Sequence, residues 1–525
     1  MLAAMPPSPL PRPHGAEPPV RDRGDACPGA LRLHSAADGH LARVRLPAGC
    51  LTSRQAAALA DAAERLGDGH LSLTSRGNTE LRGLPDACGQ ELAAVLREAG
   101  LLPSARHERI RNILASPLAG LDQHTPSDVQ LWARRLDALL CASASATALS
   151  GRFLFVLDDG RGDVAALGGD VTLVAEADGS GGGGALLRIG DDPAAVRIAG
   201  PDVPRTALIA AESFLTAAEA SGTGAWRVRE LPAGYALNAR DVADGLRKAG
   251  VGVEYVAAAG AEPVPAAAPG GPLPGVVEGP GGRRALCVLA PLGRLTVAQW
   301  RLLTAVAAAD GCGDLRVTPW RGVLVPGLTA ATAGPRLHEL AAAGLIIDPD
   351  SPWHRIGACT GRPGCVKSRS DVRADAAAAL GRATAAESAE GARASAEGTH
   401  TPTEDAGMPV EGSGMPVEGA RRLPVHWSGC ERRCGHPQGR WIDVLATGEG
   451  YRVSAVGQEV RPDVRPDHLP PEDVPLPLVA TAIAAATRAA NADAPTAPPT
   501  TAAATTAATA TNPVPTSRPT TPKAQ

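Results

Sequence analysis

Four of the ten cysteines in this 525-residue chain gather in two tight pairs, Cys359 and Cys365 in CTGRPGC and Cys430 and Cys434 in SGCERRC. Two thiol pairs of this kind read as one metal site. Zinc sites built from cysteine usually use a short C-x2-4-C loop, whose thiolates take adjacent corners of a small tetrahedron. The first pair here encloses five residues, with Gly361, Pro363 and Gly364 bending the backbone around a larger space. That favours a polynuclear iron–sulfur cluster on four thiolates. A disulfide reading fits poorly, because the Pro-rich start MLAAMPPSPLPRPHG has no apolar run of signal-peptide length and no apolar stretch is long enough to span a membrane. A reduced, cytoplasmic chain is expected. The remaining cysteines (Cys27, Cys50, Cys88, Cys141, Cys287 and Cys312) stand alone and read as small apolar fillers.

The residues around these pairs set the scale of the scaffold. The length suffices for about three domains, and a net charge of −4 shows no basic bias, so nucleic acid is not an expected partner. With aromatics at 2%, cores must be built from Leu, Val and Ala. Residues 1–32, 378–420 and 490–525 are rich in Pro, Ala, Ser, Thr or Gly and are expected to be disordered, since they cannot bury enough apolar surface to offset ordering entropy. The middle one separates the cysteine pairs and should loop out as an insertion. A Gly/Pro/Ala linker is expected at 258–283.

Residues 41–103 and 285–347 repeat one pattern: an alternating strand, a helix capped by Thr52 or Thr296, two short strands, and a second helix ending at Gly100 or Gly344. The order β-α-β-β-α is a ferredoxin-like half-domain, and two copies can pair about a pseudo-twofold axis into one continuous sheet. Each copy is followed by an α/β segment. The first carries RNILASPLAGLD (111–122), a helix at 126–141 and strands in GRFLFVLDDG (151–160) and DVTLVAEADG (170–179); the second carries all four paired cysteines and closes with a strand over 440–453. The expected organisation is half-domain 33–103, a cluster-type unit without cluster at 104–257, half-domain 284–348 and a cluster-binding unit at 349–489.

This order, with LTSRGNTELRGL, RNILASPLAG, CTGRPGC and SGCERRC in sequence, resembles the siroheme-dependent nitrite and sulfite reductase superfamily over about residues 33–460. The resemblance implies an α+β fold of two ferredoxin-like half-domains paired about a pseudo-twofold axis, plus two 4Fe-4S-type α/β units, with Cys359, Cys365, Cys430 and Cys434 ligating a [4Fe-4S] cluster. The wording is closest to the precorrin-3B synthase branch. That branch implies O2-dependent hydroxylation of precorrin-3A at C20 with lactone formation, in aerobic cobalamin biosynthesis. A ferredoxin-dependent assimilatory nitrite or sulfite reductase is the alternative. The reductases surround their small anion with several cations, including two lysines in a K-x-K strand; the matching residues here are Arg152, Phe153 and Leu154. One cation is kept and the other becomes apolar, which suits a large polycarboxylate ring better than a small oxyanion.

By the same resemblance Arg76, Asn78, Arg82, Arg111, Asn112, Arg152 and Arg321 face the prosthetic group, as partners for acetate and propionate arms or pyrrole N–H groups. A cysteine-held cluster has no open coordination position, so O2 chemistry asks for a second centre. Siroheme bridged through Cys434 and a mononuclear non-haem iron are both open, and the spacing of His107, His124, His354, His426 and His436 singles out no ligand set. No G-x-G-x-x-G follows a strand, so electrons are expected from a ferredoxin or an NAD(P)H-dependent reductase. Lys367 and the GHP at 435–437 either shape cluster hydrogen bonding or pack the turn. A monomer with no membrane partner is expected.

Overall fold

The computed structural model describes residues 25, 27–124, 129–176, 183–260, 271–382, 423–437, 439–457 and 473–492. The first half-domain runs β1 (His34–Ala36), β2 (Gly39–Val44), β3 (Cys50–Thr52), α1 (Ser53–Leu66), β4 (His70–Leu73), β5 (Thr79–Leu84) and α2 (Gly89–Glu98). The unit after it holds β6 (Ile113–Ala115), α3 (Val129–Ala142), β7 (Phe155–Asp158), β8 (Val171–Glu176), β9 (Gly184–Ile189), β10 (Ala195–Ala199), α4 (Val203–Ser221), α5 (Ala239–Lys248) and β11 (Val253–Val256). The second half-domain repeats the first as β12 (Gly275–Glu278), β13 (Arg284–Leu289), β14 (Arg294–Thr296), α6 (Val297–Ala309), β15 (Asp314–Val317), β16 (Gly322–Leu328) and α7 (Ala330–Ala342). The last unit has β17 (Ile356–Ala358), a helix α8 over 372–382, β18 (Val425–Ser428), β19 (Trp441–Ala446), β20 (Tyr451–Val456) and α9 (Val479–Ala492).

Both copies start their first helix with one device. The Thr52 and Thr296 hydroxyls accept the N–H groups of Gln55 and Gln299, whose side chains return the bond to the threonine N–H. These capping boxes satisfy two otherwise orphaned donors at each helix start. The strand just before each helix leaves its own half. β3 pairs with β15, Leu51 opposite Leu315, and β14 pairs with β4, Leu295 opposite Leu71. The expected single sheet is therefore two five-stranded sheets, β1-β2-β5-β4-β14 and β12-β13-β16-β15-β3, each finished by a strand of the other half. The exchange covers β4 and β15, which would otherwise be open edges. Between the sheets α1 packs on α6, where the fully buried Trp300 donates its indole N–H to the Ala56 carbonyl at 2.8 Å. Leu59, Leu71, Leu303 and Leu315 belong to the same core, which the two halves share.

The other two units each contain a parallel run, β6-β7-β8 and β17-β18-β19, extended by antiparallel strands to six and four strands respectively. The strand expected over 440–453 is a hairpin, turned where the Thr447 N–H meets the Gly450 carbonyl at 2.9 Å; its glycine-rich GEG stretch cannot continue a strand. Part of the expected linker is also ordered, since β12 joins the edge of β13. The segment expected to be disordered up to 32 is tied down where it is described. The Asp25 carboxylate accepts from Ser150 Oγ at 2.9 Å, and the Glu108 carboxylate accepts from the N–H groups of Ala30 and Leu31 at 2.9 and 3.1 Å. Polar anchors replace the apolar area this stretch lacks. The rest of that segment, most of the expected 378–420 insertion and the tail beyond 492 lie outside the described residues; α8 reaches into the insertion as far as 382. Among the described residues no helix is long and apolar enough to cross a membrane.

Candidate metal centre and arginine-lined site

Because β17 and β18 run parallel, their carboxyl ends lie side by side, the usual position for a site on an open α/β sheet. Cys359 is the first residue past β17, and its N–H donates to the Trp427 carbonyl at 3.0 Å. Cys430 follows β18 by two residues, and the intervening Gly429 donates its N–H to Cys359 Sγ at 3.2 Å. A Cβ on Gly429 would stand 1.9 Å from Ser368 Oγ, so the close approach of the two loops requires glycine there. The loops are further joined by the Arg369 N–H and the Gly429 carbonyl at 2.9 Å. Burial pushes the Cys359 thiol up, and Cys365 and Cys430 push the same way. Cys434 is pushed up to about 11, by burial first and then by Cys359, Cys430 and Cys365. Cys359 and Cys434, each pushed up by neighbouring sulfurs, ionise readily only around positive charge, and an N–H aimed at sulfur is a feature cluster sites use. The donor set therefore fits an iron–sulfur cluster. Cys434 is the exposed member of the four.

The first unit repeats this local geometry with other residues. Ser116 follows β6 as Cys359 follows β17; its N–H donates to the Leu157 carbonyl at 3.0 Å, and its Oγ accepts the Asp159 N–H at 3.1 Å. Here the loops are closed by acids and an arginine. Ser116 Oγ donates to Asp163 at 2.6 Å, while Arg161 pairs with Asp159 and Asp122 at 2.6 and 2.8 Å. Burial, with Asp158 and Asp159 adding, pushes Asp163 up to about 7.

The seven residues expected to face a prosthetic group divide into two sets. Arg111 is buried and spends its Nε and one amino group on Asp137, both at 2.6 Å, and the other on the Leu101 carbonyl. Asn112 donates to the carbonyls of Gly151 and Phe153 and faces Asn78, whose Oδ1 accepts the Leu46 N–H at 2.8 Å. Arg82 is neutralised by Asp38 and Glu80 at 2.9 and 3.1 Å and donates to the Gly364 carbonyl at 2.9 Å, inside the first cysteine loop. In these four residues most of the hydrogen-bonding capacity goes to the framework. Arg76, Arg152 and Arg321 are different. Arg76 has only a long 3.4 Å bond to the Gly151 carbonyl; burial, then Arg227, Arg45 and Arg43, hold it down at about 9. Arg152 lies over the Trp226 ring at 5.0 Å. Arg321 donates to the Gly435 carbonyl at 3.0 Å.

Several cations of this site were not anticipated. Arg43 and Arg45 lie two apart on one face of the β2 line, an alternation that an A-R-V-R reading could have found. Glu80 joins Arg43 to Arg82, its carboxylate accepting from both. Beyond it Arg373, on α8, is held down at about 10 by burial and by Arg294, Arg321 and Arg82, and its Nε is buried without a hydrogen-bond partner among the described residues. No sequence signal marks Arg373. The isolated cysteines also divide: Cys88 and Cys287 are buried fillers, Cys312 is exposed, and Cys27 Sγ sits 3.1 Å from an Arg45 amino group. The five histidines do not converge. His107 is held by Ser104 and Ser143, His354 by the Pro349 carbonyl, and His426 by the Cys434 carbonyl at 3.1 Å; His436 stacks on Trp441, and His124 is exposed. Among the described residues no two of them join a carboxylate as a 2-His-1-carboxylate set. Lys367 is exposed, and in the GHP turn Gly435 is exposed and His436 half-buried.

Residues 34–99 and 277–343 both match the family described as the nitrite/sulfite reductase ferredoxin-like half domain. Both half-domains are therefore of the nitrite/sulfite reductase ferredoxin-like type. The chain is similar to a precorrin-3B synthase of a Sinorhizobium species, 25% identical over 430 residues that cover 82% of each chain. A ferredoxin–nitrite reductase of Synechococcus elongatus is 35% identical, over 127 residues that cover 23% of this chain and 25% of that one. Among solved structures, the NirA protein of Mycobacterium tuberculosis superposes with a TM-score of 0.59 at 17% identity, covering 79% of this chain and 74% of its own, a likeness of fold.

Proposed function

We propose that this chain is an oxidoreductase of the precorrin-3B synthase type, hydroxylating precorrin-3A at C20 with O2 and forming a lactone on the aerobic route to cobalamin. The observation that carries this reading is the half-buried Arg76 guanidinium, without a carboxylate of its own among the described residues and near Arg43, Arg45 and Arg227, an arrangement that suits a ligand with negatively charged arms. Its apolar counterpart supports the same ligand. Leu154, at the position of a reductase lysine, is packed with Leu114, Val156 and Val164 beside Trp320, so apolar packing stands where a reductase has a second cation for its small anion. The match to the Sinorhizobium synthase runs nearly end to end, whereas the nitrite reductase match covers a quarter.

In such a reaction one oxygen atom of O2 enters the ring, the other leaves as water, and two electrons and two protons come from outside. Cys359, Cys365, Cys430 and Cys434 would hold a [4Fe-4S] cluster, which supplies electrons one at a time. A ferredoxin or an NAD(P)H-dependent reductase is the proposed donor. Arg76 and Arg152 bind carboxylate arms. Asn78, Asn112 and Arg111 hold the turns that carry them, and Arg82 ties the first half-domain to the cysteine loop. The protein is taken to act in the cytoplasm as a monomer. Anaerobic absorption and EPR spectra, followed by aerobic incubation with precorrin-3A and a reductant, test this: an iron–sulfur signal without siroheme bands and a product heavier by oxygen are expected. The nitrite reductase match favours a second reading, a siroheme reductase using Cys434 as the bridge. Strong siroheme bands, unchanged precorrin-3A and consumption of nitrite or sulfite would establish it instead.

A further inference from the structure

Arg321 occupies a seat that the fold has cleared for it. It stands in the turn between β15 and β16 with a left-handed backbone, φ +61°, which costs a residue with a Cβ about 1 kcal/mol or more. Glycines from three other places lie against its side chain. A Cβ would stand 2.4 Å from Arg321 Cδ at Gly293, 2.7 Å from one amino group at Gly357, and 2.8 Å from the other at Gly435. Two of these glycines belong to the cysteine unit: Gly357 lies in β17 two residues before Cys359, and Gly435 follows Cys434. The guanidinium reaches from the second half-domain across β17 to the Cys434 turn and donates to the Gly435 carbonyl at 3.0 Å. On its far side His426, opposite Gly357 in the β17–β18 ladder, is fully buried. One His426 ring nitrogen meets the Cys434 carbonyl at 3.1 Å, and Nδ1 has no hydrogen-bond partner among the described residues. A carbonyl partner fixes the proton on Nε2 and leaves Nδ1 a bare acceptor beside the arginine.

We propose that Arg321, seated by Gly293, Gly357 and Gly435 and backed by His426, is a positioning residue of the four-thiol site: it fixes the Cys434 turn and places a permanent positive charge beside the cluster, making it easier to reduce. This rests on the iron–sulfur reading of the four cysteines and departs from the sequence expectation that Arg321 binds substrate. A cation near the centre favours the more negative, reduced form. Its side-chain hydrogen bond goes to the Cys434 turn, which leaves the cysteine unit and not a carboxylate arm as its partner.

The test is a redox titration of the full-length protein, loaded with iron and sulfide, read by EPR in wild type, Arg321→Gln and Gly357→Ala. Gly357→Ala keeps the charge but displaces the guanidinium, whose far end can swing aside. In Arg321→Gln the reduced-to-oxidised ratio at a fixed poise should fall about tenfold, which is 59 mV for one electron, and Gly357→Ala should shift it the same way by a smaller factor. Binding of uroporphyrin, an octacarboxylate ring, followed by fluorescence quenching, should change less than twofold in both. A ratio unmoved in both variants overturns the proposal, as does a tenfold loss of uroporphyrin affinity with the ratio unchanged. If Arg321→Gln fails to retain iron, Gly357→Ala decides by itself. Wild type lacking acid-labile sulfide would defeat the cluster reading and the proposal with it, whereas a normal wild-type cluster with unmoved variants defeats only the role of Arg321.

Discussion

Replacing Asp163 with Asn should stabilise the protein at pH 8 far more than at pH 5. Asp163 lies in the unit whose serine and acids stand where the second unit has thiols, and burial together with Asp158 and Asp159 raises it from 3.8 to about 7. The native state therefore holds a proton that the unfolded chain has released between about pH 4 and pH 7. Stability from this group is fully present below the unfolded value and lost as pH rises through the folded one. A shift of that size corresponds to at most about 4 kcal/mol, and solvent at the open side of the loop reduces it to roughly 2 kcal/mol. Asparagine can still accept the Ser116 hydroxyl and carries no charge. The assay is thermal unfolding of both proteins at pH 5 and pH 8. About two thirds of that stabilisation, roughly 1.3 kcal/mol, is lost between pH 5 and pH 8, and within a unit of about 150 residues that moves the midpoint by roughly 3–5 °C, so the gap between variant and wild type should widen by that amount at the higher pH. An equal gap at both pH values, or a wild type that gains on the variant as pH rises, would refute the reasoning.

Other substitutions separate structural from functional arginines. Arg76→Gln should weaken uroporphyrin binding by about tenfold or more, since a charge-assisted bond is worth roughly 1.5–3 kcal/mol, with little change in unfolding. Arg111→Gln should do the reverse, costing about 3 kcal/mol or more by leaving Asp137 unpaired and shifting ring affinity less than twofold. Cys430→Ser should reduce iron and sulfide content to background while circular dichroism of the two half-domains persists. Trp300→Phe removes the indole bond to the Ala56 carbonyl, which keeps its bond within α1, and should cost about 1 kcal/mol; because the core is shared, amide exchange should speed up in α1 as well as in α6.

Local rules carried the sequence reading furthest. Thr52 and Thr296 announced both first helices because the capping box is written in four consecutive residues, and the two half-domains followed from repetition of the same pattern. The strand exchange was invisible, since β3 and β14 are three residues long and alternate identically whichever sheet they join. The arginines show a similar division. Arg82 and Arg111 stand in motifs of the superfamily, yet their partners Asp38 and Asp137 lie 44 and 26 residues away in sequence, a distance that no spacing argument spans. Asp25 and Cys27 were set aside with a segment whose composition cannot build a core; they are held by Ser150 and Arg45, polar contacts that composition does not register.

The exchanged strands also bear on how the chain can be made. β4 is synthesised early, but its outer neighbour β14 emerges only after the whole first α/β unit, more than two hundred residues later. At about 5–20 residues per second the nascent first half-domain waits roughly 10–45 s with an unpaired edge exposed at the ribosome, and β3 waits just as long for β15. Neither half can finish before the other exists. A gene split at the linker would therefore have to deliver both pieces together, and a truncated product ending there would be a ready substrate for chaperones.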